Sequence, residues 1–230
     1  MIVAVGFLPA APILIDEVAA GAAYELDSLR GSCTRVLREV LSHSNEYVVV
    51  LADGEFTGWL ANDATGSMAP FGVGVQGDGA QRASVHERLA YGHVVGSWLL
   101  DRAGNQGVRR AMSVASGGGS MAADLLANLD ASYALIVIGD GSARLSVKAP
   151  GYFDPGAQSF DEQMAEALAS GDPSLLAKLD GAVAAEQMSS GFEAWYATGL
   201  ALQSQGAHRW QAESAYEAPY GVGYFTASWT

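Results

Sequence analysis

Three short apolar runs limit what this chain can fold into: IVAVGFL (2–8), EYVVVLA (46–52) and YALIVIG (133–139). Each is rich in β-branched residues and reads as a buried strand. Helical patterns fill the intervals between them. From Tyr24 to Ser42, apolar residues recur at 26, 29, 33, 36, 37, 40 and 41, one face of a helix. SVHERLAYGHVVGSWLLDRAG (84–104) predicts a second long helix, closed by Gly104 as its C′ residue. VRRAMSVA (108–115) reads as a strand, and a helix follows SGGGS (116–120) through Leu129. Alternation of this kind predicts an α/β fold with a mainly parallel to mixed central sheet and helices on both faces.

Beyond residue 139 the pattern changes. A Pro/Gly-rich loop, KAPGYFDPGAQ (148–158), leads into several short helices that run to about Gln205. HRWQAESAYEAPYGVGYFTASW (208–229) then supplies two strand-like segments around a proline-glycine turn, which is why the sheet is expected to be mixed. No repeat and no linker divides the chain, so residues 1–230 are expected to form a single domain.

Charge narrows the function classes. The chain carries 12 Lys and Arg against 25 Asp and Glu, a net charge of −13. Such an acidic surface disfavours nucleic acid and anionic membrane as partners, since both call for basic patches. No segment approaches the ~20 uninterrupted apolar residues that a membrane span needs. The opening MIVAVGFLPAAPILID lacks a basic stretch and holds two prolines, so it reads as a first strand and loop rather than a signal peptide. The single cysteine, Cys33, lies on the apolar face of a predicted helix and is expected to pack in the core, in a cytoplasmic protein.

Few motifs carry chemistry by themselves. GVGVQG (72–77) has the letters of a dinucleotide fingerprint but no preceding strand, and Pro70 interrupts, so a glycine-rich turn is the simpler reading. SGGGS sits between a strand and a helix N-terminus, where free N–H groups could cradle an anion, or it could be a flexible connection. His86 and His93 are seven residues apart on one helix face, wider than a metal-binding pair, while His43 ends a helix and His208 begins a strand. Asp53, Glu55 and Asp140 fall at the C-terminal ends of predicted strands, the edge where open α/β sheets bind ligands. Together they could hold a hard cation; singly they could cap turns.

Several stretches resemble one family in the same order along the chain. The class III extradiol ring-cleavage dioxygenases of the LigB type, with their Memo-like relatives, begin with a strand running into Pro-His-Pro-Pro. GFLPAAPILI (6–15) is similar, with Ala10 at the histidine's place. VVVLADGEF (48–56) resembles the strand that ends in Ser-Pro-His, with Gly54 at the histidine. GDGSARL (139–145) resembles Gly-Asp-x-Ser-His-Arg-Leu, with Ala143 at the histidine. Likeness continues through PGYFDPGAQSFDEQMAEALASGDPSLLAKLD (150–180) and AAEQMSSGFEAW (184–195), where relatives often have Cys-Gly and this chain has Ser190-Gly191. It ends in YEAPYGVGYFTA (216–227).

The resemblance implies a LigB-like fold and a site stripped of its reactive groups. In active relatives the first two histidines and a carboxylate hold Fe(II), and the third histidine moves protons. Alanine and glycine offer no lone pair to a metal. The expectation is therefore a metal-free, non-catalytic homologue with no cofactor. It would bind a small molecule or a protein partner through the inherited cleft, and self-association is common among relatives. Asp140, Ser142 and Arg144 would line that cleft, with Asp53 and Glu55 opposite; equally, Asp140, Ser142 and Arg144 could only tie down their own loop. The alternative is a metal-dependent enzyme, either dioxygenase-like or using Asp53, Glu55 and Asp140 on Mg²⁺ or Mn²⁺.

Overall fold

The computed structural model describes residues 1–44, 46–74, 76–78 (backbone only), 88–206 and 209–230. The first half of the chain holds β1 (Ile2–Leu8), α1 (Asp16–Ala19), α2 (Asp27–His43), β2 (Tyr47–Asp53), β3 (Gly58–Trp59), β4 (Thr65–Ser67), β5 (Gln76–Asp78) and α3 (Tyr91–Arg102). It continues with β6 (Val108–Val114), α4 (Gly119–Ala127), β7 (Tyr133–Ile138), α5 (Ala157–Ser170), α6 (Pro173–Leu176), α7 (Gly181–Glu186), α8 (Phe192–Ser204), β8 (Ala212–Glu217) and β9 (Tyr224–Trp229).

A seven-stranded mixed sheet runs in the order β3-β6-β2-β7-β1-β9-β8. Its centre, β6-β2-β7-β1, is parallel, whereas β3 at one edge and β9 and β8 at the other are antiparallel. Side-chain alternation along each central strand feeds two cores. Val5, Phe7, Val49, Leu51, Leu135 and Val137 point into a core covered by α4, α5 and α8. Ala4, Leu8, Val48, Val50, Ala134 and Ile136 point the other way, into a core under α2 and α3. Burial on both faces is why these strands read as unbroken apolar runs. Each large side chain so buried contributes roughly 1.5–3 kcal/mol.

Two features hold the layers in register. The rings of Phe7 and Trp229 meet edge to face at 5.1 Å, joining β1 to β9. On the opposite face α3 lies close against the sheet, because a Cβ at Gly96 would stand 2.9 Å from Val50 Cγ1.

The structure departs from the expected elements mainly at helix starts. α2 begins at Asp27 rather than Tyr24, since Ala20–Leu26 forms 3₁₀ turns. α3 begins at Tyr91, not Ser84. Arg88 bridges to Thr65 and the Leu89 N–H donates to Thr65 O, so these two residues are extended alongside β4. His86 and the rest of 79–87 lie outside the described residues, as do Val75 within the glycine-rich turn and His208. Gly104 follows α3 at a φ of 74°, as its place after the helix requires. The closing segments form the β8–β9 hairpin, paired from Ala212↔Trp229 to Glu217↔Tyr224. Among the described residues, no helix is long and apolar enough to cross a membrane.

Candidate functional site

The parallel neighbours β2, β7 and β1 open their C-terminal ends along one edge of the sheet. Asp53 is the last residue of β2, Asp140 lies two residues beyond β7, and Ala10 two beyond β1. Asp140 Oδ1 accepts the Ala10 N–H at 2.8 Å, and the Asp140 N–H donates to Ser190 O at 2.7 Å. The Ser189 hydroxyl donates to Asp140 O at 2.7 Å, and Ser190 Oγ stands 3.5 Å from Asp140 Oδ2. Asp53 Oδ2 accepts the Gly191 N–H at 2.6 Å. Two carboxylates from adjacent strands thus flank Ser190-Gly191, where α8 begins.

Neither carboxylate has a cationic partner among the described residues. Burial pushes Asp140 up to about 7, against the opposing pull of the Ala10 N–H and the Ser190 hydroxyl. Burial likewise pushes Asp53 up to about 6, against the N–H groups of Gly191 and Ala194, with the negative charge of Glu193 adding to the rise. Asp53 Oδ1 is buried with no hydrogen-bond partner. The ledge therefore holds two carboxyl groups that change charge near neutral pH.

The other residues singled out from the sequence are placed differently. Ser142 is fully buried; its N–H donates to Asp161 Oδ1 at 2.7 Å, and its hydroxyl donates to Gln187 Oε1 at 3.1 Å and accepts the Arg144 N–H at 3.0 Å. Arg144 donates to Gly151 O and Glu186 O and lies 3.2 Å from Asp154 Oδ2. These bonds staple the loop after β7 to itself and to α7. Glu55 is exposed in the loop after β2. Among the described residues, no group of three or more His, Cys, Asp or Glu side chains could hold a metal ion. Of the alternative Mg²⁺ or Mn²⁺ set of Asp53, Glu55 and Asp140, the two aspartates accept backbone N–H groups and Glu55 faces solvent.

The three positions where the resemblance places histidines carry no donor. Ala10 and Ala143 both pack against the core beneath α2, and the Ala143 N–H donates to Gln187 O at 3.0 Å. Gly54 donates to Val114 O at 2.9 Å, and a Cβ there would collide with the Ser113 hydroxyl. The side chains present do not fit ferrous iron. The described histidines serve elsewhere. His93 is buried with Nε2 at 2.9 Å from Met112 O, and burial lowers its pKa to about 4. His43 ends α2 beside Glu39 O. Cys33 is buried and pushed up to about 12 by that burial.

Two acidic residues that sequence reasoning passed over organise the surroundings. Asp161 on α5 is 3% exposed, and besides Ser142 it accepts the Tyr216 hydroxyl at 2.8 Å. A carboxylate on the buried face between Phe160 and Met164 was the available signal. Glu193 accepts the N–H groups of Gly117 at 2.6 Å and Gly119 at 3.0 Å. The anion cradle of SGGGS is thus filled by the chain's own carboxylate. In the GVGVQG stretch, Gly72 closes a 3₁₀ turn at a φ of 79°, a turn rather than a phosphate loop.

A cavity of about 300 Å³ lies between α2 and the β8–β9 edge, away from the strand ends. A smaller one of about 20 Å³ lies beside Arg109 and Arg110. In comparisons with known proteins, no family model and no curated protein matches this chain.

Proposed function

We propose that this chain is a LigB-like homologue that has lost iron chemistry and binds a small molecule or a protein segment at the ends of β1, β2 and β7. One observation supports the reading most directly: the Ala10 N–H donates to Asp140 at 2.8 Å. That bond joins two of the three stretches that resemble the dioxygenases, at a strand edge suited to ligands. What these stretches retain is backbone and carboxylate; what they lack is imidazole. Ser190 Oγ and the two titrating carboxyls offer a ligand one donor-acceptor hydroxyl and two groups that donate when protonated and accept when ionised.

Metal analysis tests this. Protein purified without chelator is expected to carry far less than one transition metal ion per chain, and to take up no oxygen with catechols and added Fe(II). Stoichiometric metal, or catechol-dependent oxygen uptake, overturns the proposal. A gain-of-function variant probes the geometry itself. Ala10→His with Ala143→His, and Gly54→His with Ser113→Gly to clear the collision, should create measurable Zn²⁺ affinity. A folded variant that binds no more zinc than the parent removes the proposed correspondence.

A further inference from the structure

The 300 Å³ groove lies apart from the strand-end ledge, where α2 runs beside the β8–β9 edge and Ser28 of α2 donates to Glu217 of β8 at 3.0 Å. Two hydroxyls of β9 line it. Thr226 is 2% exposed and Ser228 is 4% exposed, yet neither side chain makes a hydrogen bond to another described residue. The two residues are buried as a whole, but their hydroxyl oxygens open onto the groove and are available to whatever fills it.

The rim is charged in a particular way. Arg35, Arg38 and Glu39 come from α2 and Glu213 from β8. None of the four forms an ion pair among the described residues, and Arg35 reaches only Ser32 Oγ at 2.8 Å. By contrast Arg30, Arg102, Arg109 and Arg144 are each paired with an aspartate. Two guanidinium groups and two carboxylates therefore border one small polar space without neutralising each other. A simple anion would meet Glu39 and Glu213, and a simple cation would meet the arginines. A ligand bearing one charge of each sign meets a partner for each, the arginines on α2 and the carboxylates of Glu39 and Glu213.

We propose that this groove binds a small zwitterion of amino-acid to dipeptide size. Its carboxylate lies on Arg35 and Arg38, its ammonium on Glu39 and Glu213, and its polar backbone on Thr226 and Ser228. The volume is at the lower end of small-molecule sites, ~300–1,000 Å³.

Isothermal titration calorimetry of the full chain with glycylglycine, acetate and methylammonium tests this. Glycylglycine should saturate one site, and each singly charged probe should bind about tenfold more weakly or worse, the loss of one charge-assisted contact. Arg38→Gln and Glu213→Gln, both surface changes, should each weaken glycylglycine by about tenfold with the melting temperature unchanged. Ser228→Ala supplies a third reading from the groove floor and should also weaken binding. Absence of saturable heat with glycylglycine at about 10 mM overturns the proposal. So does equal affinity for acetate, or affinity indifferent to all three substitutions.

Discussion

Gly139 and Gly191 meet backbone to backbone. A Cβ on Gly139 would stand 2.8 Å from Ser190 O and 2.9 Å from Gly191 Cα, and one on Gly191 would stand 2.6 Å from Ile138 O. Gly191 also holds a φ of 85°, in the left-handed region that favours glycine. This contact seats the start of α8 on the end of β7 and delivers the Gly191 N–H to Asp53.

Gly191→Ala should therefore be among the most damaging single-methyl changes in the chain. It combines a backbone collision with a left-handed φ, and a loss of about 3 kcal/mol or more is expected. Urea unfolding measures it. A midpoint equal to the parent's would mean that the two glycines do not touch as described.

Asp140→Asn should stabilise the protein at alkaline pH. Asp140 titrates from an ordinary value of 3.8 to about 7 in the fold. The folded state holds its proton more tightly than the unfolded state. The stabilising contribution is thus present below pH 4 and lost as pH rises through 7. Asparagine keeps an acceptor for the Ala10 N–H without the buried charge. The melting temperature of the variant relative to the parent should rise by roughly 5 °C between pH 5 and pH 8. A difference independent of pH would place the titration elsewhere.

His93 has the opposite sign. Its folded value of about 4 lies below the ordinary 6.5. The unfolded chain binds that proton more readily, so stability present above pH 6.5 is lost as pH falls toward 4, by about 3 kcal/mol over the window. His93→Gln retains a donor toward Met112 O and removes the titration. Relative to the parent, its urea midpoint should improve as pH falls from 7 to 4.5. Parallel pH profiles for the two proteins would refute the assignment.

How much of this was visible in the linear chain depends on where each residue's partners lie. β1, β2 and β7 fell where the apolar runs placed them, because burial on both faces demands unbroken hydrophobic composition. β3, β4 and β5 are GW, TGS and QGD, too short and polar for any period. The start of α3 was misplaced because Leu89 bonds to Thr65, a tertiary partner that outweighs local helical preference. The placement of Asp53 and Asp140 side by side was legible, since neighbouring parallel strands end on one edge of the sheet. For Ser142 and Arg144 the sequence left a cleft-lining and a loop-tying role equally open, and their bonds to Gln187, Glu186 and Asp154 tie the loop, with partners that local spacing does not name. Glu193 was invisible for a simpler reason: its partners Gly117 and Gly119 lie 76 and 74 residues away.

That distant cap is itself testable. Glu193→Ala should cost about 1–2 kcal/mol by freeing two N–H groups at the start of α4. It should also create an anion site where the parent has none, so sulfate should raise the melting temperature of the variant more than that of the parent at matched ionic strength. Equal responses to sulfate would show that the carboxylate was not filling the cradle.

The position of β1 has a consequence for assembly. β1 pairs on one side with β7 and on the other with β9, both far downstream of it in the chain. Its two flanks must wait for partners more than a hundred positions downstream, so the sheet cannot close progressively as synthesis proceeds. Folding should be slow for a domain of this size, governed by long-range pairing rather than by the helices, and loss of the final hairpin should leave Phe7 without the ring that covers it.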